Sequence, residues 1–319
     1  MAAALRRPIR HPPRVGPYAR LVLGRIVGGT AVVVAITAIT WLMFRLLRPE
    51  MFADGGGLVG QLSDYLGGVF LHADFGRSWS TSGREVAELL RNGIGADVSL
   101  MVGGLAVGLL GGIGGGLLAA VLAGRWSGRA LEALAMVALC APVYVVGLEL
   151  LLLFGADIGK VGLPAGIPLS YVPLADSPAR WLGSLIVPWI VLGLPLAGLC
   201  LRLMRASAVE VMDRDFIRAA HGKGLRDRTV LRHHIAPAAA APTLSLVGAA
   251  IPMMVTNIVL VENVFQIDGA FANLNRSIGA GDMPLILGLT TLGAAFIVAS
   301  NLVVDLALTW LDPRVREAT

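Results

Sequence analysis

Asp215-Phe-Ile-Arg-Ala-Ala-His-Gly-Lys-Gly-Leu225 is a polar segment rich in small residues, and it lies between two long apolar runs. Its first residue is placed to cap a helix whose first-turn amides lack partners. Gly224 is placed to end that helix in a left-handed conformation. Ala219, Ala220 and Gly222 leave one surface nearly free of side chains, so another protein could approach it closely. The pattern predicts a helical hairpin that acts as a docking element.

The composition around this hairpin is that of a membrane protein. Of the 319 residues, 56% are hydrophobic and 15% are charged, with a mean hydropathy of +0.75, whereas soluble domains are about a quarter charged. A membrane-spanning helix needs about 20 apolar residues. Six runs without a central charge meet this requirement: Ile26–Phe44, Val98–Ala123, Ala133–Phe154, Leu182–Leu201, Thr243–Val261 and Ile286–Val304. We therefore predict an all-α membrane protein with six transmembrane helices.

The basic residues predict the orientation of these helices. If the N-terminus is inside, 18 of the 26 Lys and Arg residues fall in inner segments, eight of them between Arg202 and Arg232. Positive charges favour the cytoplasmic side of a membrane, so the hairpin and both termini are predicted to be cytoplasmic. The net charge of +5 is then a topology signal. It also favours contact with anionic membrane lipid, and it gives little support to nucleic-acid binding.

This topology divides the chain into a cytoplasmic tail (residues 1–20), a six-helix transmembrane domain (21–313) and a second cytoplasmic tail (314–319). The first run is too long for the core of a cleaved signal peptide, so we predict a retained helix. The domain contains an external loop (48–97) and a cytoplasmic loop (206–240). In the external loop, Val59–Phe70 and Arg84–Arg91 have helical patterns. They form either a lid on the bundle or part of a surface that meets an external protein.

The second apolar run carries glycines at every fourth position. Gly104, Gly108, Gly112 and Gly116 share one helix face because residues four apart lie above one another. Small residues on such a face allow two helix backbones to approach closely in lipid. We predict that this face packs against another helix.

The sequence contains no pattern of an enzyme. There is no glycine-rich phosphate loop ending in Gly-Lys-Ser/Thr, and no His-Glu-x-x-His or Gly-x-Ser-x-Gly. His233 and His234 point about 100° apart on a helix and make a poor metal pair. Cys140 and Cys200 lie in predicted spans and are interpreted as apolar core residues. We predict no catalytic residue, no metal ligand and no cofactor in this chain.

Polar residues in or next to the spans are candidates for a substrate path, since burying them in lipid is costly. Glu149, Asn257 and Glu262 are the residues selected. Glu149 either contacts a cationic group of a substrate or is a carboxylate bonded between helices. The last outer loop, Glu262–Met283, is expected to help form an outer gate. Asp305, near the cytoplasmic end of the last run, is predicted to pair with an arginine.

Several motifs resemble those of ABC importer permeases. In the peptide and nickel branch of that family, the loop between the fourth and fifth helices reads Asp-Tyr-Val-Arg-Thr-Ala-Arg-Ala-Lys-Gly-Leu. The stretch from Asp215 to Leu225 is similar to it, although Arg218 replaces the usual Glu of the wider family and Ala236-Pro237 replaces the closing Leu-Pro. Other matches follow in the family's order: Asp74-Phe-Gly-Arg-Ser78, Leu163-Pro-Ala-Gly166, Leu194-Pro195, Arg205-Ala-Ser207, Val261-Glu-Asn-Val-Phe265, Asn301-Leu-Val-Val-Asp305 and Leu311-Asp-Pro-Arg314.

The resemblance is closest to the first-permease (B) type of dipeptide and oligopeptide importers. It implies a type I importer fold in the plasma (inner) membrane of a bacterium, a second homologous permease and two ATP-binding subunits that hold ATP and Mg. It also implies an external solute-binding protein and a peptide substrate. In the family the hairpin couples the permease to the ATPase, which here implies a coupling role for Asp215, Phe216, Arg218, Ala219, Ala220, Lys223, Gly224 and Leu225.

Two alternatives are kept. One is a permease of the same kind that carries nickel or a metal chelate. The other belongs to a different class, a secondary transporter or channel that works without an ATPase. That class would predict inverted repeats and paired charges near the middle of the membrane, and the sequence shows neither pattern.

Overall fold

A computed structural model of the protein describes residues 15–52, 57–154 and 171–311. This part of the chain is helical apart from turns and an isolated bridge between Arg77 and Glu85. The helices are α1 (Val15–Leu47), α2 (Leu58–His72), α3 (Val86–Val121), α4 (Trp126–Cys140), α5 (Val143–Phe154), α6 (Pro178–Met212), α7 (Asp215–Gly222), α8 (Asp227–Val230), α9 (Ala236–Ser245), α10 (Val247–Phe265), α11 (Leu274–Ala280) and α12 (Met283–Leu311).

Five helices, α1, α3, α6, α10 and α12, are long and apolar enough to cross a membrane. The pair α4 and α5 provides a sixth crossing if it is counted as one bent segment. Each of the six predicted runs overlaps one of these elements, and the prediction of an all-α membrane protein is confirmed.

The third run, Ala133–Phe154, was expected to be one helix, and that expectation is wrong. The axis turns by 106° between α4 and α5. Ala141 has an extended conformation, with φ −69° and ψ 127°. The cause is Pro142, because a proline disfavours the helical conformation of the residue before it.

Several helix boundaries also differ from the predicted ones. The patterned piece Arg84–Arg91 is mostly the first turns of α3, which begins at Val86, so the predicted external loop (48–97) ends inside a helix. Likewise α1 begins at Val15, within the predicted tail. The fifth run, Thr243–Val261, starts in α9 and continues in α10 after a break at Leu246. Residues 1–14, Leu163-Pro-Ala-Gly166 and the tail at 314–319 lie outside the described residues.

The centre of the fold is the packing of α3 on α6, and the glycine face predicted from the sequence makes it possible. A Cβ on Gly104 would lie 2.9 Å from Leu192 Cδ2, and one on Gly108 would lie 2.7 Å from Leu196 Cδ2. One turn further, a Cβ on Gly112 would lie 2.9 Å from the carbonyl oxygen of Ala197. These distances leave no room for a side chain, so the prediction that the face packs on a helix is confirmed.

A second helix pair, α1 and α12, carries polar links at two levels. In the buried part, the hydroxyl oxygens of Thr37 and Thr291 lie 3.0 Å apart. Nearer the start of α1 and the end of α12, Arg25 Nη1 lies 3.1 Å from Asp305 Oδ2. The prediction that Asp305 pairs with an arginine is therefore confirmed.

Candidate functional site

The hairpin begins with α7, and this helix ends in the way that the sequence predicts. The helix stops at Gly222, and Gly224 has φ +77°. The Gly224 amide donates to the carbonyl of His221 at 2.9 Å, and the Leu225 amide donates to the carbonyl of Ala220 at 3.4 Å. This is a Schellman motif, which satisfies carbonyl groups at a helix end and favours glycine at the left-handed position.

The start of α7 differs from the prediction. Arg214, not Asp215, is the N-cap residue, and no side chain bonds the first-turn amides there. Asp215 lies inside the first turn and accepts a hydrogen bond from the guanidinium of Arg218. A carboxylate in the first turn still stabilises the helix through the helix dipole. The predicted capping role of Asp215 is therefore wrong, although its charge is well placed.

One face of the hairpin is buried inside this chain. The buried residues of this inner cluster come from α3, α6, the hairpin and α9: Ala120, Met204, Ala208, Val211, Ile217, Ala220, Val230, Ile235 and Ala239. Ala220 is thus part of the protein core, with 7% of its surface exposed. The prediction that Ala220 belongs to the open docking surface is wrong, because the helix turns that residue toward α6. The cluster fixes the hairpin to two membrane helices.

The opposite face of α7 is exposed. Phe216 has 46% and Leu225 has 38% of their surface exposed. Ala219, Gly222 and Lys223 are exposed as well. A Cβ on Gly222 or Gly224 would meet no heavy atom within 4 Å. The hairpin thus presents two large apolar side chains beside an area almost without side chains, which suits an approaching protein surface.

The second arm of the hairpin is held to the first and contains an irregular turn. His221 Nε2 lies 3.3 Å from Asp227 Oδ1, and its Nδ1 lies 3.1 Å from the carbonyl oxygen of Ile217. Leu231–Ile235 is a π-helical segment between α8 and α9. Single π-helical turns frequently occur at functional sites. The Nδ1 atom of His233 contacts the carbonyl of Thr229 at 3.2 Å, so this ring makes a local backbone contact.

A second polar site lies where the predicted Asp74–Ser78 motif meets the start of α12. Asp282 has no exposed surface. Its Oδ2 accepts hydrogen bonds from the Ser78 hydroxyl at 2.5 Å and from the Ser80 hydroxyl at 2.6 Å and amide at 2.9 Å. Burial alone would raise the pKa of Asp282, but these hydrogen bonds lower it below its usual value. The carboxylate ties the segment around Ser78 and Ser80 to the start of α12, a role that the sequence did not indicate.

The three residues predicted for a substrate path have different environments. Glu149 is exposed on α5, and Asn257 is half-buried on α10. Glu262 has no exposed surface in this conformation, and its place in a substrate path stays a prediction. Its carboxyl group lies beside that of the equally buried Asp97, since a Cβ on Gly269 would collide with an oxygen of each. The sequence interpretation missed Asp97 because it began the second span one residue later.

Glu262 also borders a cavity of about 540 Å³ beside the turn that follows α10. The charged residues around this cavity include Arg84, Asp268 and Arg276. Amide side chains of Asn92 and Gln266 line it too. In the part of the chain that the structure describes, no group of three or more His, Cys, Asp or Glu side chains is arranged to hold a metal ion.

Several known proteins are similar to this chain in sequence. A putative peptide transport system permease protein of Brucella abortus (strain 2308) is 30% identical over 316 residues, covering 93% of this chain and 98% of that protein. A probable peptide ABC transporter permease protein of Sinorhizobium fredii is 31% identical over 302 residues, covering 95% and 94% of the two chains.

A third relative is the probable D,D-dipeptide transport system permease protein DdpB of Escherichia coli (strain K12). It is 31% identical over 273 residues, covering 80% of this chain and 79% of the relative. Residues 112–317, which include α6, the hairpin and α12, match the family described as the binding-protein-dependent transport system inner membrane component. Both findings agree with the motifs and the helical fold, and the chain belongs to this family of ABC transporter permeases.

Proposed function

We propose that this chain is the membrane-spanning permease subunit of an ATP-driven importer for di- and oligopeptides. The observation that carries the proposal is the hairpin of α7 and α8, which exposes Phe216 and Leu225 while its other face is part of the core. The names of the relatives, which are peptide and D,D-dipeptide permeases, support the cargo class. No relative reported above is named for nickel, so the metal alternative has less support.

The inner cluster explains how a force on the hairpin would reach the membrane helices. Ile217 and Ala220 of α7 are buried with Val211 of α6 and Ala120 of α3. Protein interiors are densely packed and transmit strain with little compression. When the ATP-binding subunits close, the hairpin moves with them, and α6 and α3 follow. The bundle then changes between states that are open to opposite sides.

The remaining partners follow from the same proposal. A second, homologous permease completes the path, an external solute-binding protein delivers the peptide, and two ATP-binding subunits hold ATP and Mg. This chain supplies no phosphate-binding loop and acts only as the coupled membrane subunit. The surface near Ser78, Asp282 and the cavity lies at the opposite end of the bundle from the hairpin, which supports it as the side that would meet the solute-binding protein.

The orientation that the proposal requires is directly testable. A reporter enzyme that works only in the cytoplasm should be active when it is fused after Thr319. A reporter enzyme that works only outside the membrane should be active when it is inserted at Gly57, before α2. The reason is the excess of basic residues in the inner segments. A C-terminus found outside would contradict both the topology and the cytoplasmic position of the hairpin.

The cargo class is tested by loss of uptake. Deleting the gene should make cells resistant to a toxic dipeptide or tripeptide analogue, and uptake of a labelled peptide should fall to background. Restoring the wild-type chain should restore both. Unchanged peptide uptake together with reduced nickel uptake would support the metal alternative. Unchanged uptake of both would argue that this chain imports neither peptides nor nickel.

A further inference from the structure

We propose that Asp97 and Glu262 form a proton-binding site in which the two carboxyl groups share one proton. The shared proton holds the outer turn, defined here as residues 266–270, against α3. The site makes the packing at this end of the bundle depend on pH. It is a property of this chain's own side chains and does not depend on which cargo is carried.

The first argument is the contact between the two acids. Asp97 lies in α3, Glu262 lies in α10, and neither has any exposed surface. A Cβ built on Gly269 would collide with both Asp97 Oδ1 and Glu262 Oε1, so these two carboxyl oxygens lie side by side. Within the described residues, no group donates a hydrogen bond to Asp97 Oδ1 or to either carboxyl oxygen of Glu262. The amide of Ala272 lies near Glu262 without the geometry of a hydrogen bond.

The second argument concerns charge. Two carboxylates that share a buried site cannot both be ionised at low cost, so one of them keeps a proton. A buried charge otherwise requires a partner of opposite sign. No ion pair in the described part of the chain includes Asp97 or Glu262. One proton between the two groups supplies the missing hydrogen-bond donor and removes one of the two charges.

The other titratable groups on the surrounding elements do not provide this compensation. At this end of the bundle they include Arg84, Glu88, Arg91, Glu149, Tyr171, Arg180, Asp268, Arg276 and Asp282. None forms an ion pair with either acid at 4.0 Å or less. Tyr171 is close enough to feel the charges of Asp97 and Asp268, and its pKa is raised chiefly by burial. Asp282 is already bonded to Ser78 and Ser80.

A proton fits this site better than a metal ion. The two carboxyl groups lie side by side against Gly269 and can supply at most four oxygen ligands. Calcium requires six to eight oxygen ligands and magnesium about six, including water. The described residues bring no third acid or histidine to this pair.

The outer turn rests on the pair, which links the proton to the conformation. The Ala270 amide donates to Asp97 Oδ2 at 3.3 Å. A Cβ on Gly269 would lie 2.5 Å from Asp97 Oδ1 and would also collide with the Glu262 carboxyl, so both acids lie against this glycine. A Cβ on Gly93 of α3 would lie 2.5 Å from Ala270 Cα. The turn, α3 and α10 therefore meet at the two carboxyl groups.

Loss of the shared proton would place two carboxylates in contact, and their repulsion would separate α3, α10 and the turn. The cavity of about 540 Å³ borders both Glu262 and Gly269, so water can bring a proton to the edge of the pair. The shared proton thus holds α3, α10 and the outer turn together at this end of the bundle.

The direct test is infrared spectroscopy of the purified full-length chain in its assembled transporter. The wild type at neutral pH should show the C=O absorption of a protonated carboxylic acid. This band should be absent in Asp97→Asn and in Glu262→Gln, because each amide can donate to the remaining carboxylate without a bound proton. Glu88→Gln is the matched control, since Glu88 is exposed on the same helix, α3. It should leave the band unchanged.

The second readout is the pH dependence of unfolding. Carboxyl groups of an unfolded chain release their protons above about pH 4, whereas the folded pair holds one. Unfolding therefore releases an additional proton, and the unfolding equilibrium constant of the wild type should rise about tenfold more per pH unit than that of Asp97→Asn. The wild type loses stability relative to the variant as the pH rises, until the folded pair itself releases the proton.

Equal pH slopes in the wild type and Asp97→Asn, with no acid band in either, would overturn the proposal. Stabilisation of the wild type alone by Mg²⁺ or Na⁺, again without the band, would overturn it in favour of a metal cation. Neither measurement uses a peptide, so failure of the proposed peptide import would leave this result unaffected.

Discussion

Gly112→Val should destabilise the chain by about 1–3 kcal/mol, since overfilling a packed interior costs that amount. A Cβ at this position would lie 2.9 Å from the Ala197 carbonyl oxygen and would also collide with the Cβ of Cys200. The carbonyl is part of the α6 backbone and cannot move as a flexible side chain would. The expected result is less folded protein in the membrane, a lower midpoint of thermal unfolding in detergent and loss of uptake.

Gly114→Val is the matched control for this substitution. Gly114 is exposed on the same helix, and a Cβ there would meet no heavy atom within 4 Å. Valine has a better helix propensity than glycine, so both variants gain the same small local advantage. A loss confined to Gly112→Val is therefore due to the contact with α6. Equal stability of the two variants would show that α3 and α6 are not packed as described.

The packing of α3 on α6 was predictable because its cause is a simple period. Glycines four residues apart mark one helix face regardless of the neighbour, and Gly104, Gly108, Gly112 and Gly116 all fall on the contact. What the period does not specify is the partner. The side chains that fill the face, Leu192, Leu196 and Cys200, repeat every four residues on α6. Their ordinary apolar types gave no signal before the helices were placed together.

The features that were missed depend on boundaries and on faces. Hydropathy averaged over a run does not show that Pro142 divides the third span, because both halves are apolar. Asp97 was overlooked for a related reason. The first turns of α3 contain charged residues, so the apolar run starts late and leaves the acid just outside it. Its partner Glu262 was noticed, but only the fold shows that the two acids meet.

The hairpin illustrates the same limit on a smaller scale. The order of small residues and glycines predicted a helix, a left-handed stop and a second arm, because these are local properties of the backbone. Neighbouring alanines carry no information about which of them faces the core. Ala220 is buried and Ala219 is exposed because α6 and α9 cover one side of α7. The exposed face on which docking is proposed is therefore centred on Phe216, Ala219 and Lys223.

This difference between neighbours supplies a control for the coupling role. Ala219→Asp places a charge on the exposed face, so we expect normal stability and loss of coupling to the ATP-binding subunits. Ala220→Asp places the same charge in the inner cluster, where an unpaired charge is costly. It should lower the stability of the chain itself. The two variants separate damage to the docking surface from damage to the fold.

Gly224→Val should uncouple the transporter while leaving the membrane helices intact. Gly224 has φ +77°, and a β-branched residue in the left-handed conformation costs about 1–2 kcal/mol. The valine would distort the Schellman motif and also occupy the open space beside the turn, where the partner is proposed to dock. We expect wild-type amounts of chain in the membrane, but no stimulation of ATP hydrolysis by the cargo-loaded binding protein and no peptide uptake.

Gly224→Asn distinguishes the backbone from the side chain. Asparagine adopts the left-handed conformation more readily than valine, so the turn should be kept and part of the coupling should return. If Asn and Val are equally inactive, occupation of the open space is the cause, and the partner must approach the glycine itself. If Gly224→Val and Ala219→Asp both transport normally at wild-type expression, the hairpin is not the coupling element, because neither its turn nor its exposed face is then needed.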